Sequence, residues 1–172
     1  MAVYPLEVTT MPMVDFDTLP DDARVWVFGA SDVLGDELSA SLLRHVDTYL
    51  AQWAAHGQPL TSARQWRDQH FLIIGVDQST AGASGCSIDA LFHILQGLER
   101  SLGTSLVAGG RVFYRDARGD VQCVDRATFS SRARAGEIGG DTEVFDTTVT
   151  TVRDARERFS RMASASWHAQ LV

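Results

Sequence analysis

The stretch from Phe71 to Val76 is an almost unbroken apolar run of five large side chains and one glycine. Polar His70 and Asp77 flank it, and within it apolar and polar residues do not alternate. A short run of this kind is typical of a strand buried on both faces in the middle of a sheet. The sequence therefore predicts a central strand over residues 70–77, with the rest of the chain packed on both of its faces.

Two amphipathic helices and a further strand are predicted around this central strand. Residues 24–30 are rich in β-branched and aromatic side chains and predict the strand. The first helix should begin near Asp36 and end near His56–Gly57, and its apolar stripe comprises Leu38, Leu42, Val46, Tyr49 and Trp53. The second should end at Gly103, and its stripe comprises Ile88, Leu91, Phe92, Leu95, Leu98 and Leu102.

The second half of the chain predicts a hairpin over 111–124, a short helix from Asp125 or Thr128 to about Ala135, a strand over 143–149 and a helix over 152–162. Residues 1–23 are rich in proline and aspartate and should form an extended lead-in. A chain of 172 residues fits one domain. We therefore expect a single α+β (α/β-like) domain over 1–172, in which a mixed central sheet of about five strands packs with about four helices.

Charge excludes several classes of function. The 15 basic residues are all arginine, and against 22 acidic residues they leave a net charge of -7. Net repulsion disfavours binding to a nucleic-acid backbone. A P-loop ATPase needs a lysine on the nucleotide phosphates, and Schiff-base chemistry needs a lysine amine, so the sequence excludes both. No cofactor is predicted.

Cysteine content and the N-terminal region indicate the compartment. Cys86 and Cys123 are the only cysteines, too few for a disulfide scaffold, which favours a reducing environment. The first positive side chain is Arg24, and no apolar stretch reaches the length of a membrane span. The sequence therefore predicts a cytoplasmic protein without a membrane-spanning segment.

The six residues from Ser84 to Asp89 form the candidate site. Asp77 ends the central strand, a small polar loop follows, and Ser84 opens the next helix. Unpaired backbone N–H groups and the helix dipole meet at such a junction and favour a polar or anionic ligand. The predicted ligand-binding residues are Asp77, Ser84, Gly85 and Ser87. Ser84 and Ser87 are equally well explained as helix N-caps.

Cys86 is the candidate nucleophile, because the positive end of a helix dipole stabilises a thiolate in the first turn. A nucleophile needs a base, here His56 or His168, and a group such as Asp89 or Asp77 to orient that base. The alternatives are that Cys86 packs in the core and that His56 caps a helix. No pair of residues has a recognised zinc-ligand spacing, so no metal is predicted.

Several blocks of this sequence resemble a family of small uncharacterised bacterial proteins that automated labelling often calls "ABC transporter ATPase". The matching blocks are Val25–Phe28, Trp53–Leu60, Ser84–Asp89, Val144–Thr151 and Ser166–His168. The resemblance implies no catalytic residues. The ATPase label does not fit this chain, which has neither a G-x-x-x-x-G-K-[ST] loop nor any lysine.

Two functions follow as hypotheses. In the first, the protein binds a small polar or anionic ligand, or a protein partner, at the segment from Asp77 to Asp89. In the second, it is a thiol-dependent hydrolase or acyl-transfer enzyme with Cys86 as nucleophile. A magnesium-dependent nuclease using Asp77 and Asp89 is a third possibility that the net negative charge disfavours.

Overall fold

The computed structural model describes residues 13–79 and 81–172, which form an α+β domain of four helices and nine strands. The predicted fold class and number of helices are confirmed. The helices are α1 (Asp36–Leu50), α2 (Gly85–Leu102), α3 (Arg126–Arg134) and α4 (Val152–Arg158). The strands are β1 (Arg24–Gly29), β2 (Ala54–Ala55), β3 (Gln58–Pro59), β4 (Thr61–Arg67), β5 (Phe71–Asp77), β6 (Arg111–Arg115), β7 (Val121–Asp125), β8 (Glu143–Phe145) and β9 (Ser160–Met162).

The nine strands form three sheets rather than one mixed sheet. The orders are β1-β5-β4, β2-β3 and β7-β6-β8-β9, and every strand pair is antiparallel. Tight turns explain the antiparallel pairing of β2 with β3, β4 with β5 and β6 with β7, because a parallel pair needs a long crossover. Asp68 and Gln69, with φ of 53° and 52°, turn β4 directly into β5. The sequence prediction missed β4 because its residues are mainly polar.

The central strand β5 is buried on both faces, as its sequence predicts. Leu72, Ile74 and Val76 pack into the core that α1 and α2 cover. Phe71 and Ile73 point to the other side, into a core shared with the four-stranded sheet and α4. One strand therefore joins the two main hydrophobic cores of the molecule.

The described part of the N-terminal lead-in packs against the body of the protein. Phe16 and Leu19, on and after a 3-10 turn over Phe16–Thr18, are buried in the second core. Gly75 makes room for them, since a Cβ there would lie 2.5 Å from Leu19 Cδ1. Residues 1–12 of the predicted lead-in lie outside the described residues.

Helix ends agree with the sequence in some places and differ in others. Ser84 caps the start of α2, and Gly103, with φ of 67°, caps its end, as predicted. In contrast, α1 ends at Leu50, short of the predicted end near His56–Gly57. The predicted strand over 143–149 is shortened to β8, and the last predicted helix ends at Arg158, followed by β9. Within the described ranges, no helix has both the length and the apolar character required to cross a bilayer.

Candidate functional site

A shallow hollow of about 460 Å³ lies in front of the first turn of α2. We call it the helix-start hollow; its lining residues are Tyr49, Gln52, Trp53, Ala54, His56, Ser84, Cys86, Ser87 and Ala90. The fold thus brings His56 to the same surface as three residues of the candidate site, Ser84, Cys86 and Ser87. Gly85 lies between two of them and is exposed.

The first turn of α2 leaves two backbone amides available. Ser84 Oγ accepts the N–H of Ser87 at 3.2 Å, and Ser87 Oγ donates to the Ser84 carbonyl at 2.9 Å. The N–H groups of Gly85 and Cys86 hydrogen-bond to no other residue that the structure describes. Because the first N–H groups of a helix have no partner within it, these amides and the helix dipole favour an anion in front of the helix.

Two aromatic side chains form a fixed floor beneath the hollow. The hydroxyl of Tyr49 and the indole Nε1 of Trp53 both donate to the carbonyl of Ser87, at 2.9 and 3.2 Å. Trp53 is fully buried, and burial raises the pKa of Tyr49. These bonds attach the end of α1 and the segment after it to the first turn of α2. The carbonyl of Ser87 therefore connects these two segments, while Ser87 also lines the hollow.

His56 reaches the hollow on a tight turn. With Gly57 it forms the two-residue connection between β2 and β3, with φ of 52° for His56 and 75° for Gly57. Positive φ at both central residues is typical of the type I′ hairpin turn. The helix-cap interpretation of His56 is therefore wrong, because α1 has already ended at Leu50.

Cys86 is exposed on the rim of the hollow, which excludes the alternative that it packs in the core. Within the described ranges, no hydrogen bond joins its thiol to the ring of His56. Asp77 accepts the N–H of Ser79 at 2.9 Å and so closes the turn after β5. The carbonyl of exposed Asp89 lies 2.7 Å from His93 Nδ1. Neither aspartate lines the hollow, and the two carboxylates make no described bond to His56.

His168 belongs to a different part of the fold. It is fully buried, stacks on Trp167 with ring centroids 3.8 Å apart, and packs beside Phe129. Its Nδ1 lies 2.8 Å from Ser166 Oγ, while Nε2 has no described partner. Burial lowers the pKa of His168 to about 4. His168 is not among the residues that line the helix-start hollow.

Comparison with known proteins identifies no relative. No protein-family model, curated protein or solved structure matches this chain. The resemblance to the bacterial family that carries the ABC transporter label stays a prediction. Residues 13–79 and 81–172 contain no group of three or more His, Cys, Asp or Glu side chains arranged to hold a metal ion.

The sequence prediction overlooked a second cavity, of about 270 Å³, on the other side of α2. We call it the arginine cleft, because Arg111 and Arg126 both line it together with Thr147, Thr148 and Trp167. These residues are far apart in the chain, so no local motif marks them. The available signal was Gly109–Gly110 directly before Arg111, a loop whose backbone a ligand can approach closely.

Proposed function

We propose that this protein binds a small polar or anionic ligand in the helix-start hollow. One observation carries the proposal: the amides of Gly85 and Cys86, which bond to no described residue, lie beside a hollow that His56 and Cys86 line. Charge-assisted hydrogen bonds from backbone amides hold anions strongly, and a helix start supplies them ready-made. A carboxylate on a partner protein would use the same groups.

Each part of the hollow has a different role in this proposal. The amides of Gly85 and Cys86 receive the negatively charged group. The ring of His56, which lines the same hollow, donates a further hydrogen bond. The aromatic floor of Tyr49 and Trp53, fixed by the Ser87 carbonyl, supports the rest of the ligand. A rigid floor favours binding because little is ordered when the ligand arrives.

A pair of substitutions at Gly85 tests the amides directly. Gly85 is the first residue of α2, where proline is well tolerated, and Ser84 before it is already extended at φ -80° and ψ 163°. Gly85→Pro removes one ligand amide and keeps the helix, whereas Gly85→Ala keeps the amide and places a Cβ in open space.

The readout is the thermal shift caused by inorganic phosphate, nucleotides, phosphorylated sugars and dicarboxylates, followed by titration of each hit. We expect a hit to bind Gly85→Ala like the wild type and Gly85→Pro at least about tenfold more weakly, since a hydrogen bond to a charged group contributes about 1.5–3 kcal/mol. His56→Asn should also weaken binding, and asparagine can adopt the backbone conformation of this turn. His93→Asn, at an exposed position on α2, is the control and should not weaken binding. If Gly85→Pro and Gly85→Ala bound the ligand equally well, the ligand would not bind at these amides.

A thiol enzyme is the second candidate, favoured by the exposure of Cys86 in the same hollow as His56. In that mechanism His56 takes the proton of the Cys86 thiol, and the thiolate attacks the carbonyl carbon of an ester or amide substrate. The bond from this carbon to the alcohol or amine breaks, the leaving group takes the proton from His56, and a thioester remains on Cys86. Water then hydrolyses the thioester, which releases the carboxylic acid and restores the thiol. The amides of Gly85 and Cys86 would hold the oxyanion. The mechanism requires the His56 turn to bring the ring within hydrogen-bond reach of the thiol.

Alkylation tests this candidate. Iodoacetamide labelling of the Cys86 and Cys123 peptides is followed by mass spectrometry from about pH 5 to 9. Cys123 is the internal reference, because burial raises the pKa of its half-buried thiol and slows its labelling. If His56 is the base, the Cys86 profile moves to higher pH in His56→Asn but not in His93→Asn. Identical profiles in wild type and His56→Asn would rule the enzyme out.

A further inference from the structure

The arginine cleft lies between the first sheet, α2 and the four-stranded sheet. Apolar side chains form most of its wall: Val27 and Phe28 from β1, Phe92 from α2, Leu106, and Phe113 from β6. Arg111 and Arg126 supply its charge. Another cavity, of about 260 Å³, adjoins the arginine cleft and shares Phe28, Phe92 and Thr147 with it. The arginine cleft therefore places an apolar wall next to two cationic side chains.

Within the described residues, neither arginine of the cleft takes part in an ion pair. No carboxylate within residues 13–79 and 81–172 forms an ion pair with Arg111 or Arg126. Arg111 contacts the sulfur of Cys123 at 3.7 Å, and the guanidinium of Arg126 lies 5.0 Å from the ring centroid of Trp167. No Asp or Glu lines the cleft, although the whole chain carries a net charge of -7. Two cations that form no ion pair with a described carboxylate, in a cavity that no acidic side chain lines, favour an anionic ligand.

Polar groups next to the arginines are held in place by a buried carboxylate. Asp146 is 3% exposed and accepts the N–H of Thr148 at 2.9 Å and the indole Nε1 of Trp167 at 3.1 Å. The hydroxyl of Thr148 also donates to Asp146, whereas that of neighbouring Thr147 bonds to no described residue. Asp146 therefore fixes the loop that presents Thr147 and the indole that stacks under Arg126.

The loop before Arg111 lets a ligand approach the backbone. Gly110 has φ of 75°, and a Cβ at Gly109 or Gly110 would meet no atom within 4 Å. Open space above a glycine pair allows a ligand oxygen to reach main-chain N–H groups. Together with Thr147, this loop adds hydrogen-bond donors to the two cationic side chains.

We propose that the arginine cleft binds a phosphate monoester whose organic part is small and apolar. The dianionic phosphate matches two guanidinium groups, each able to form paired hydrogen bonds to its oxygens. The apolar part packs against Phe28 and Phe92 in the wall of the cleft. This site is separate from the helix-start hollow, and either proposal can fail without the other.

Titration with phenyl phosphate tests the proposal on the whole protein, with isothermal calorimetry as the readout. We expect Arg111→Gln and Arg126→Gln each to weaken binding about tenfold or more, because each removes a charged hydrogen-bond donor. Arg134→Gln is the matched control: it makes the same change of charge on the same helix, and Arg134 is exposed and lines no cleft. Arg126 is exposed, so the Arg126→Gln variant should fold even if Arg111→Gln does not.

Two further ligands test whether the cleft recognises both the apolar group and the double negative charge of phenyl phosphate. Inorganic phosphate should bind about tenfold more weakly than phenyl phosphate, because it leaves the apolar wall uncovered. Phenylacetate, with a single negative charge, should also bind more weakly. The proposal is overturned if phenyl phosphate shows no saturable binding, if Arg134→Gln weakens it as much as Arg126→Gln, or if phenylacetate binds equally well. Gly85→Pro should leave unchanged the phenyl phosphate binding that Arg126→Gln weakens, which separates the cleft from the helix-start hollow.

Discussion

Burial holds the imidazole of His168 uncharged at neutral pH. Desolvation is the main cause of its lowered pKa of about 4, nearby Arg126 lowers it further, and Asp146 opposes both. In the unfolded chain the same side chain takes up a proton near its ordinary pKa of 6.5. Between these values the unfolded state binds more protons, so stability is complete above pH 6.5 and is lost as the pH falls toward 4.

We expect the free energy of unfolding to fall by about 2 kcal/mol from His168 alone between pH 7.5 and pH 5. Urea unfolding at the two pH values measures this loss in the wild type, and His168→Gln should lack it whatever its absolute stability. His45→Gln, at an exposed position on α1, should keep it. Backbone hydrogen bonds lower the pKa values of the carboxyl groups of Asp116 and Asp125. These two groups therefore titrate below the range from pH 7.5 to pH 5. An equal loss in His168→Gln would show that His168 does not titrate this way.

At the scale of secondary-structure elements, the β2–β3 hairpin carries His56 to the helix-start hollow. Its turn depends on Gly57, whose φ of 75° disfavours any side chain with a Cβ. Gly57→Ala should therefore lower the free energy of unfolding by about 1 kcal/mol and weaken any ligand that needs His56. Gly85→Ala, at a glycine with open space and no positive φ, should change stability by less than about 0.5 kcal/mol. Denaturant unfolding of both variants gives the comparison, and equal stabilities would contradict the required turn.

The elements that sequence predicts best are those whose signals are local. The caps of α2 at Ser84 and Gly103 and the apolar run of β5 depend on neighbouring residues, so they were predictable. Strand β4 depends on its pairing with β5 and on partners such as Asp47, which holds Arg64 at 2.7 Å, so its polar sequence conceals it. The same limit applies to the sites. Ser84 to Cys86 could be found from one helix start, whereas the arginine cleft is assembled from six separate stretches of the chain.

At the scale of the whole molecule, the contact between the first sheet and the four-stranded sheet couples the two halves of the fold. The ring of Phe71 on β5 packs against Phe113, Phe145 and Phe159, with centroid distances of 5.1, 4.7 and 5.1 Å. These rings belong to β6, β8 and the end of α4. Since β5 also contacts the core under α1 and α2, loss of this aromatic contact should affect both halves in one cooperative transition.

Gly29 at the end of β1 permits this close approach, because a Cβ there would lie 2.7 Å from Phe113 Cε2. Gly29→Ala must displace a ring packed in the core, and we expect it to lower the free energy of unfolding by about 1–3 kcal/mol. Gly97→Ala is the counterpart: Gly97 lies in exposed α2 with no atom near its missing Cβ, so alanine should stabilise by up to about 1 kcal/mol. Circular dichroism and tryptophan fluorescence should report the same midpoint for each variant. If Gly29→Ala were as stable as Gly97→Ala, the sheets would not be packed as closely as this contact requires.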